Sequence, residues 1–276
     1  MSRPTPQIEV AIAHGDTGVR IDPRYVVFSQ RNVISGAGSA IFHLFVPSYW
    51  NIRRKWPVIL FLHGEDDQPG CGEISPLLGV RTLLSLLGTD FPCLIVCPQC
   101  APGKDWNHPV MQKLALTALD QAVHECNGDI SRVYLTGMSM GGAGVWELAT
   151  RWPSRWAAIV PVCGGVPASS TASASAVEGG VDIRDPYTAL ASRLRFVPIW
   201  VFHGTSDTAV PISEPRQLVA ALHALEADVR FTEYDGRGHE SWSLAYSEAD
   251  LLKWLLLYRT PHNRAFKTKR PYRRRR

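Results

Sequence analysis

Arg132-Val-Tyr-Leu-Thr-Gly-Met-Ser-Met-Gly-Gly-Ala-Gly144 is the stretch that decides the fold. Its first part, Val133 to Thr136, is apolar and β-branched, and it runs straight into Gly137-Met-Ser-Met-Gly141. Helix-forming residues follow at once, from Val145 to Arg151. G-x-S-x-G is common by chance, but here it has the strand–turn–helix setting that gives it meaning. A serine on so sharp a turn adopts a strained backbone and holds its hydroxyl clear of the sheet. Gly137 and Gly141 are required because a Cβ at either would strike a neighbouring strand or helix. Ser139 is therefore read as a nucleophile.

Working outward, strand-like runs occur at 25–28, 40–46, 58–63, 93–97, 133–136, 158–163, 199–203 and 229–234. Helical stretches fall at 76–87, 110–126, 143–151, 214–225 and 248–258. The first strands follow one another directly, and then strand and helix alternate. Val58-Ile-Leu-Phe-Leu62 is apolar throughout, which suits a parallel strand covered on both faces. The pattern predicts an α/β fold of about eight strands, a doubly wound parallel sheet with an antiparallel start. The domain is expected over 21–260, with an arm over 1–20 and a basic tail over 261–276. Between Val166 and Asp185 a Ser/Ala-rich, aperiodic stretch breaks the rhythm on the strand-end rim of the sheet. It reads either as a flexible cover over the site or as an inert insertion.

The charge is uneven. Of 29 Lys and Arg, seven lie between Lys267 and Arg276, leaving 22 basic against 25 acidic residues elsewhere. The body thus has no general affinity for polyanions, whereas the tail reads as a polyanion or nuclear-import contact or as a solvated end. No apolar run is long enough for a membrane span, and Met1-Ser-Arg-Pro-Thr-Pro6 lacks the apolar core of a signal peptide. A cytoplasmic protein, nuclear if the tail directs it there, is expected. Cys97-Pro-Gln-Cys100 has no second pair, so zinc is not expected, and the six cysteines read as reduced packing residues. No metal or cofactor is called for.

A serine hydroxyl needs a base within hydrogen-bond reach and a group to orient that base. Downstream of Ser139, Ile199-Trp-Val-Phe-His-Gly-Thr-Ser-Asp207 sets an acid just past a strand, and Phe231-Thr-Glu-Tyr-Asp-Gly-Arg-Gly-His239 sets a histidine just past the next. Asp207 and His239 are the expected orienter and base; Asp235 and Asp182 compete for the acid role, but neither sits directly after an apolar strand in the right order. His63 and His203 end strands before glycine and suit loop architecture, while His124 and His223 sit within helices. Backbone donors for an oxyanion are expected at Met140, directly after the nucleophile and near the start of a helix, and at Gly64 or Glu65. Trp106 and Trp242 are candidates for the substrate pocket, with core packing the alternative.

Six strings carry a resemblance: Pro57-Val-Ile-Leu-Phe-Leu-His-Gly64, Cys97-Pro-Gln-Cys100, Arg132 to Gly142, Pro161-Val-Cys-Gly-Gly165, Pro198-Ile-Trp-Val-Phe-His-Gly204 and Gly238-His-Glu-Ser-Trp242. Together they resemble the α/β-hydrolase superfamily, and within it the predicted peptidase or esterase group related to feruloyl esterases and polyhydroxybutyrate depolymerases. The resemblance, spanning roughly 40–258, implies a serine esterase with Ser139, Asp207 and His239 as its triad and Met140 as an oxyanion donor. That group usually continues His-Gly with a small residue, Gly, Glu and Arg; this chain reads Gly64-Glu-Asp-Asp-Gln-Pro-Gly70. A small-molecule carboxylic ester is the expected substrate. A thioesterase, a peptidase, or a nucleic-acid- or membrane-associated protein working through the tail are the alternatives.

Overall fold

The computed structural model describes residues 26–36, 38–68, 91–166, 177–178, 181–182 and 185–260. Eight strands form one sheet in the order β1-β2-β4-β3-β5-β6-β9-β10. They are β1 (Val26–Ser35), β2 (Gly38–Pro47), β3 (Trp56–Leu62), β4 (Leu94–Pro98), β5 (Gly128–Met138), β6 (Ala158–Val162), β9 (Ile199–Gly204) and β10 (Val229–Tyr234). β1 and β2 pair antiparallel, β2 meets β4 antiparallel, and the remaining six strands run parallel.

Every residue of β3, β4, β6 and β9 is buried. Along β3 the side chains alternate between two cores: Val58, Leu60 and Leu62 enter one, Ile59 and Phe61 the other. That two-residue period puts one core on each face of the sheet. The first face is covered by α1 (Pro109–Glu125), α2 (Met140–Arg151), α3 (Pro186–Leu194) and α4 (Ser213–Ala224). The second is covered by α5 (Trp242–Tyr246) and α6 (Leu251–Leu257), which contribute Tyr246, Leu251, Trp254 and Leu255. Among the described residues no helix is long and apolar enough to cross a membrane.

Three local expectations are corrected. β1 extends to Ser35, not 28, pairing over ten residues; its exposed Gln30, Asn32 and Ile34 alternate with buried Val33, so a half-solvated edge hid the strand's length. Within the aperiodic 166–185 stretch, β7 (Val177–Glu178) and β8 (Val181–Asp182) form a short antiparallel pair. Directly after it comes α3, which was not anticipated. Asp185 caps it, its carboxylate accepting from the N–H and hydroxyl of Thr188 at 2.7 Å, with Pro186 at the first position. The expected helix at 76–87, the arm and the tail lie outside the described residues.

The topology fixes where a site forms. From β3 the chain proceeds to β4 on one side; from β4 it crosses back to β5 on the other. The loops after β3 and β5 therefore diverge, leaving a crevice at the carboxyl ends of these two strands, the place where open α/β sheets bind ligands.

Candidate active site

Ser139 lies in that crevice. It is the N-cap of α2 with φ 54° and ψ −120°, a conformation that costs a non-glycine residue on the order of 1–3 kcal/mol. Hydrogen bonds on either side hold it there: Ser139 N–H donates to Val162 O, and its carbonyl accepts from Ala143 N–H, both at 3.0 Å. The surrounding glycines permit the approach. A Cβ on Gly141 would stand 2.0 Å from Leu62 O, and one on Gly142 would stand 2.5 Å from Val162 O. α2 thus begins at Met140, ahead of the expected 143, because glycines chosen for close packing mask the helix start from propensity.

The acid and base arrive on neighbouring strands. β9 and β10 pair in parallel with His203 opposite Glu233 and Gly204 opposite Tyr234. Past the strand ends the two loops are stitched together by Thr205 N–H to Tyr234 O (3.0 Å) and Ser206 N–H to Arg237 O (2.9 Å). Gly204 makes this possible, since a Cβ there would lie 2.3 Å from Arg237 O and 2.4 Å from Gly238 O.

From these loops a continuous chain of polar contacts reaches Ser139. Asp207 Oδ2 is 2.8 Å from His239 Nδ1, and His239 Nε2 is 2.7 Å from Ser139 Oγ. A carboxylate only accepts, so Nδ1 carries the imidazole proton and Nε2 is left to accept from the serine hydroxyl. The other carboxylate oxygen, Oδ1, accepts from the N–H groups of Ala209 and Val210, both at 2.9 Å. Burial alone would raise the Asp207 carboxyl, but the Val210 N–H, His239 and the Ala209 N–H outweigh it and hold the group below the ordinary carboxylate range. Asp235 instead accepts from the Thr205 hydroxyl at 3.2 Å on the exposed rim.

The loop after β3 flanks the serine on its other side. A Cβ on Gly64 would sit at ordinary contact, 3.7 Å from Ser139 Cβ. Gly64 is buried and Glu65, which opens a single 3-10 turn (Glu65–Asp67), is exposed. His63 fixes this loop. Its Nε2 accepts from Cys100 N–H at 3.0 Å, so Nδ1 is the protonated nitrogen and donates to Gly64 O at 2.7 Å. Burial lowers His63 to about 4, against a smaller raising effect of the Gly64 bond, so the ring is neutral at neutral pH. Gln68 adds a second tie, donating to Lys104 O at 2.6 Å. These contacts explain the Cys97-Pro-Gln-Cys100 string: Cys97 belongs to β4, and the backbone of Cys100 orients the histidine next to the crevice. Both thiols are free and buried.

The two tryptophans part ways. Trp242 is half-buried and meets the His239 ring edge-on, with centroids 6.0 Å apart. Trp106 takes up the core-packing alternative. It is 1% exposed, packs under Gly144, and donates its indole N–H to His63 O at 2.9 Å. A buried indole requires an acceptor, and the carbonyl it found makes Trp106 a support of the 63–65 loop. Of the other histidines, His124 and His223 are exposed on their helices.

Residues 115–259 match the profile of the prolyl oligopeptidase family. A bifunctional acetylxylan esterase/xylanase, XynS20E of Neocallimastix patriciarum, is 28% identical over 175 residues, 62% of this chain and 22% of that protein. The chain thus spans about a fifth of that relative's length. A crystal structure of a thermostable esterase superposes with a TM-score of 0.69 at 26% identity, covering 84% of this chain and 63% of that one. A ferulic acid esterase shares the fold at a TM-score of 0.64 and 17% identity, over 84% of this chain and 98% of its own. The chain belongs to the prolyl oligopeptidase family, among the esterase- and peptidase-like serine hydrolases of the α/β-hydrolase fold.

Proposed function

We propose that the chain is a carboxylic ester hydrolase in which Ser139 is the nucleophile, His239 the general base and Asp207 the orienting acid. The observation that carries the reading is the unbroken Ser139–His239–Asp207 contact chain, 2.7 and 2.8 Å, on a serine held at φ 54°. Ser139 Oγ attacks the ester carbonyl carbon as His239 Nε2 takes the hydroxyl proton. The carbonyl π electrons move to oxygen, giving a tetrahedral oxyanion. That oxyanion accepts from Met140 N–H, which as the first N–H of α2 has no acceptor within its helix. Glu65 N–H is the second donor. His63 holds Gly64 O, and in a planar trans peptide the N–H of the next residue points the opposite way. Collapse expels the alkoxide, which takes its proton from His239. Water then repeats the sequence on the acyl-serine and releases the acid.

Ester cleavage is favoured over peptide cleavage by the esterase names of the 28% and 26% identical relatives; the family match supports the peptidase reading. We assign Trp242 to the leaving-group side of the site; its edge-on contact with the His239 ring supports this. The test is Ser139→Ala assayed with p-nitrophenyl acetate and a fluorophosphonate label. Turnover is expected to fall by about 10⁴-fold or more, with labelling abolished and the far-UV spectrum unchanged. Undiminished turnover would sink the proposal, and faster release of p-nitroaniline from peptidyl anilides than of p-nitrophenol from esters would favour the peptidase.

A further inference from the structure

His203 ends β9 four residues before Asp207 and is fully buried. Its Nε2 lies 2.9 Å from Val210 O and 3.1 Å from Asp207 Oδ2. A carbonyl and a carboxylate both only accept, so Nε2 must carry the proton. Nδ1 is then bare, and it is buried without a hydrogen-bond partner among the described residues. A residue kept only to fill space would not bring an unpaired nitrogen into the core, where it carries a desolvation cost.

Val210 is the significant partner. The N–H groups of Val210 and Ala209 hold Asp207 Oδ1, and the carbonyl of the same Val210 is held by His203. One imidazole therefore bears on both carboxylate oxygens, on Oδ2 through the 3.1 Å contact and on Oδ1 through the 207–210 turn. Oδ2 is also the oxygen that faces His239. The other titratable groups around it are Glu233, opposite on β10 and paired with Arg216, and Cys163 beside the end of β6, whose thiol burial pushes up to about 12.

We propose that His203, donating from Nε2, is a positioning residue for the hydrolysis: it sets the aim and basicity of the Asp207 carboxylate that orients His239. The inference rests on the triad reading above. Without the His203 donor the carboxylate is more basic and its turn looser, so the imidazolium of His239 is held more tightly but aimed less well. The base then stays protonated to higher pH, and chemistry suffers while ester binding does not.

The experiment compares His203→Leu, which removes the donor, with His203→Gln, whose Nε2 reaches about as far as that of imidazole. Both are assayed with p-nitrophenyl acetate between about pH 5 and 9. His203→Leu is expected to lose about 10- to 100-fold in kcat with KM within about twofold, and to move the acid limb of kcat/KM upward by roughly half a unit to one unit. His203→Gln is expected to recover most of both. An unmoved acid limb in His203→Leu, or equal damage in the two variants, would assign the residue to packing alone and overturn the proposal.

A measurement on the unaltered chain covers the case in which His203→Leu fails to fold. Nitrogen-15 histidine spectra, with the His203 signal identified by its loss in His203→Gln, should show the Nε2–H tautomer; an Nδ1–H tautomer there removes the donor and the proposal with it. Turnover surviving in Ser139→Ala would instead remove the triad reading and leave the tautomer result untouched.

Discussion

Gly204→Ala is the perturbation that tests most directly how two loops are brought to one serine. Gly204 has an ordinary negative-φ backbone, so alanine introduces no conformational strain of its own. What it introduces is a methyl group 2.3 Å from Arg237 O and 2.4 Å from Gly238 O. Ordinary contact begins near 3.4 Å, so the 237–238 backbone must retreat by about 1 Å. Neither obstacle is a flexible side chain that could swing away. His239 is the next residue, and its Nε2 sits 2.7 Å from Ser139 Oγ; a shift of that size takes the pair out of hydrogen-bond range. A misplacement of about 1 Å at a reacting group costs on the order of 100-fold in rate, and overpacking of this kind costs about 1–3 kcal/mol of stability. The assay is kcat on p-nitrophenyl acetate together with the rate of fluorophosphonate labelling, alongside a urea melt. Both rates should fall about 100-fold while the chain remains folded. Wild-type kcat with a wild-type melt would mean that the loops are not packed through this glycine, and the argument from the close approach would fail.

Two further outcomes follow from groups around the crevice. Burial lowers both His43 and His63 from 6.5 to about 4 in the folded chain. Between those values the unfolded chain binds protons that the folded chain does not, so stability is expected to fall as pH drops from about 6.5 toward 4, with a slope of up to about 1.4 kcal/mol per pH unit for each histidine; urea melts at stepped pH check this, and a flat profile over that window would contradict it. Trp106→Phe keeps most of the buried volume but strands the His63 carbonyl, which should lower the unfolding free energy by about 1–3 kcal/mol and slow ester turnover through the 63–65 loop. A variant with altered stability and wild-type kcat would separate that loop from catalysis.

Ser139, Asp207 and His239 were legible because each feature that places them is local. The strand-like run, the glycine pair and the short strand–loop strings ending in Asp207 and His239 are each written in adjacent residues, and the parallel sheet converts the chain order of the three loops into proximity at one rim. Trp106 stayed between pocket and core because sequence says that a tryptophan is large and amphipathic but not which carbonyl its N–H will meet; that carbonyl, His63 O, is 43 residues away. α3 did have a local signal, the Asp185-Pro186 start with Thr188 three residues past the cap, masked by the Ser/Ala-rich stretch before it. His203 is the most instructive case. Read along the chain, it is a strand-end histidine before a glycine, a position that turn geometry alone explains. Its link to Asp207 runs off the end of β9 through Thr205 and Ser206, which are neither helix nor strand, so no periodicity announces it. It exists because the turn after β9 folds Val210 back onto the imidazole while presenting two N–H groups to the carboxylate. The three side chains that meet at the rim can thus be read from pattern, whereas the contacts His203 makes behind them depend on how a short irregular loop closes on itself.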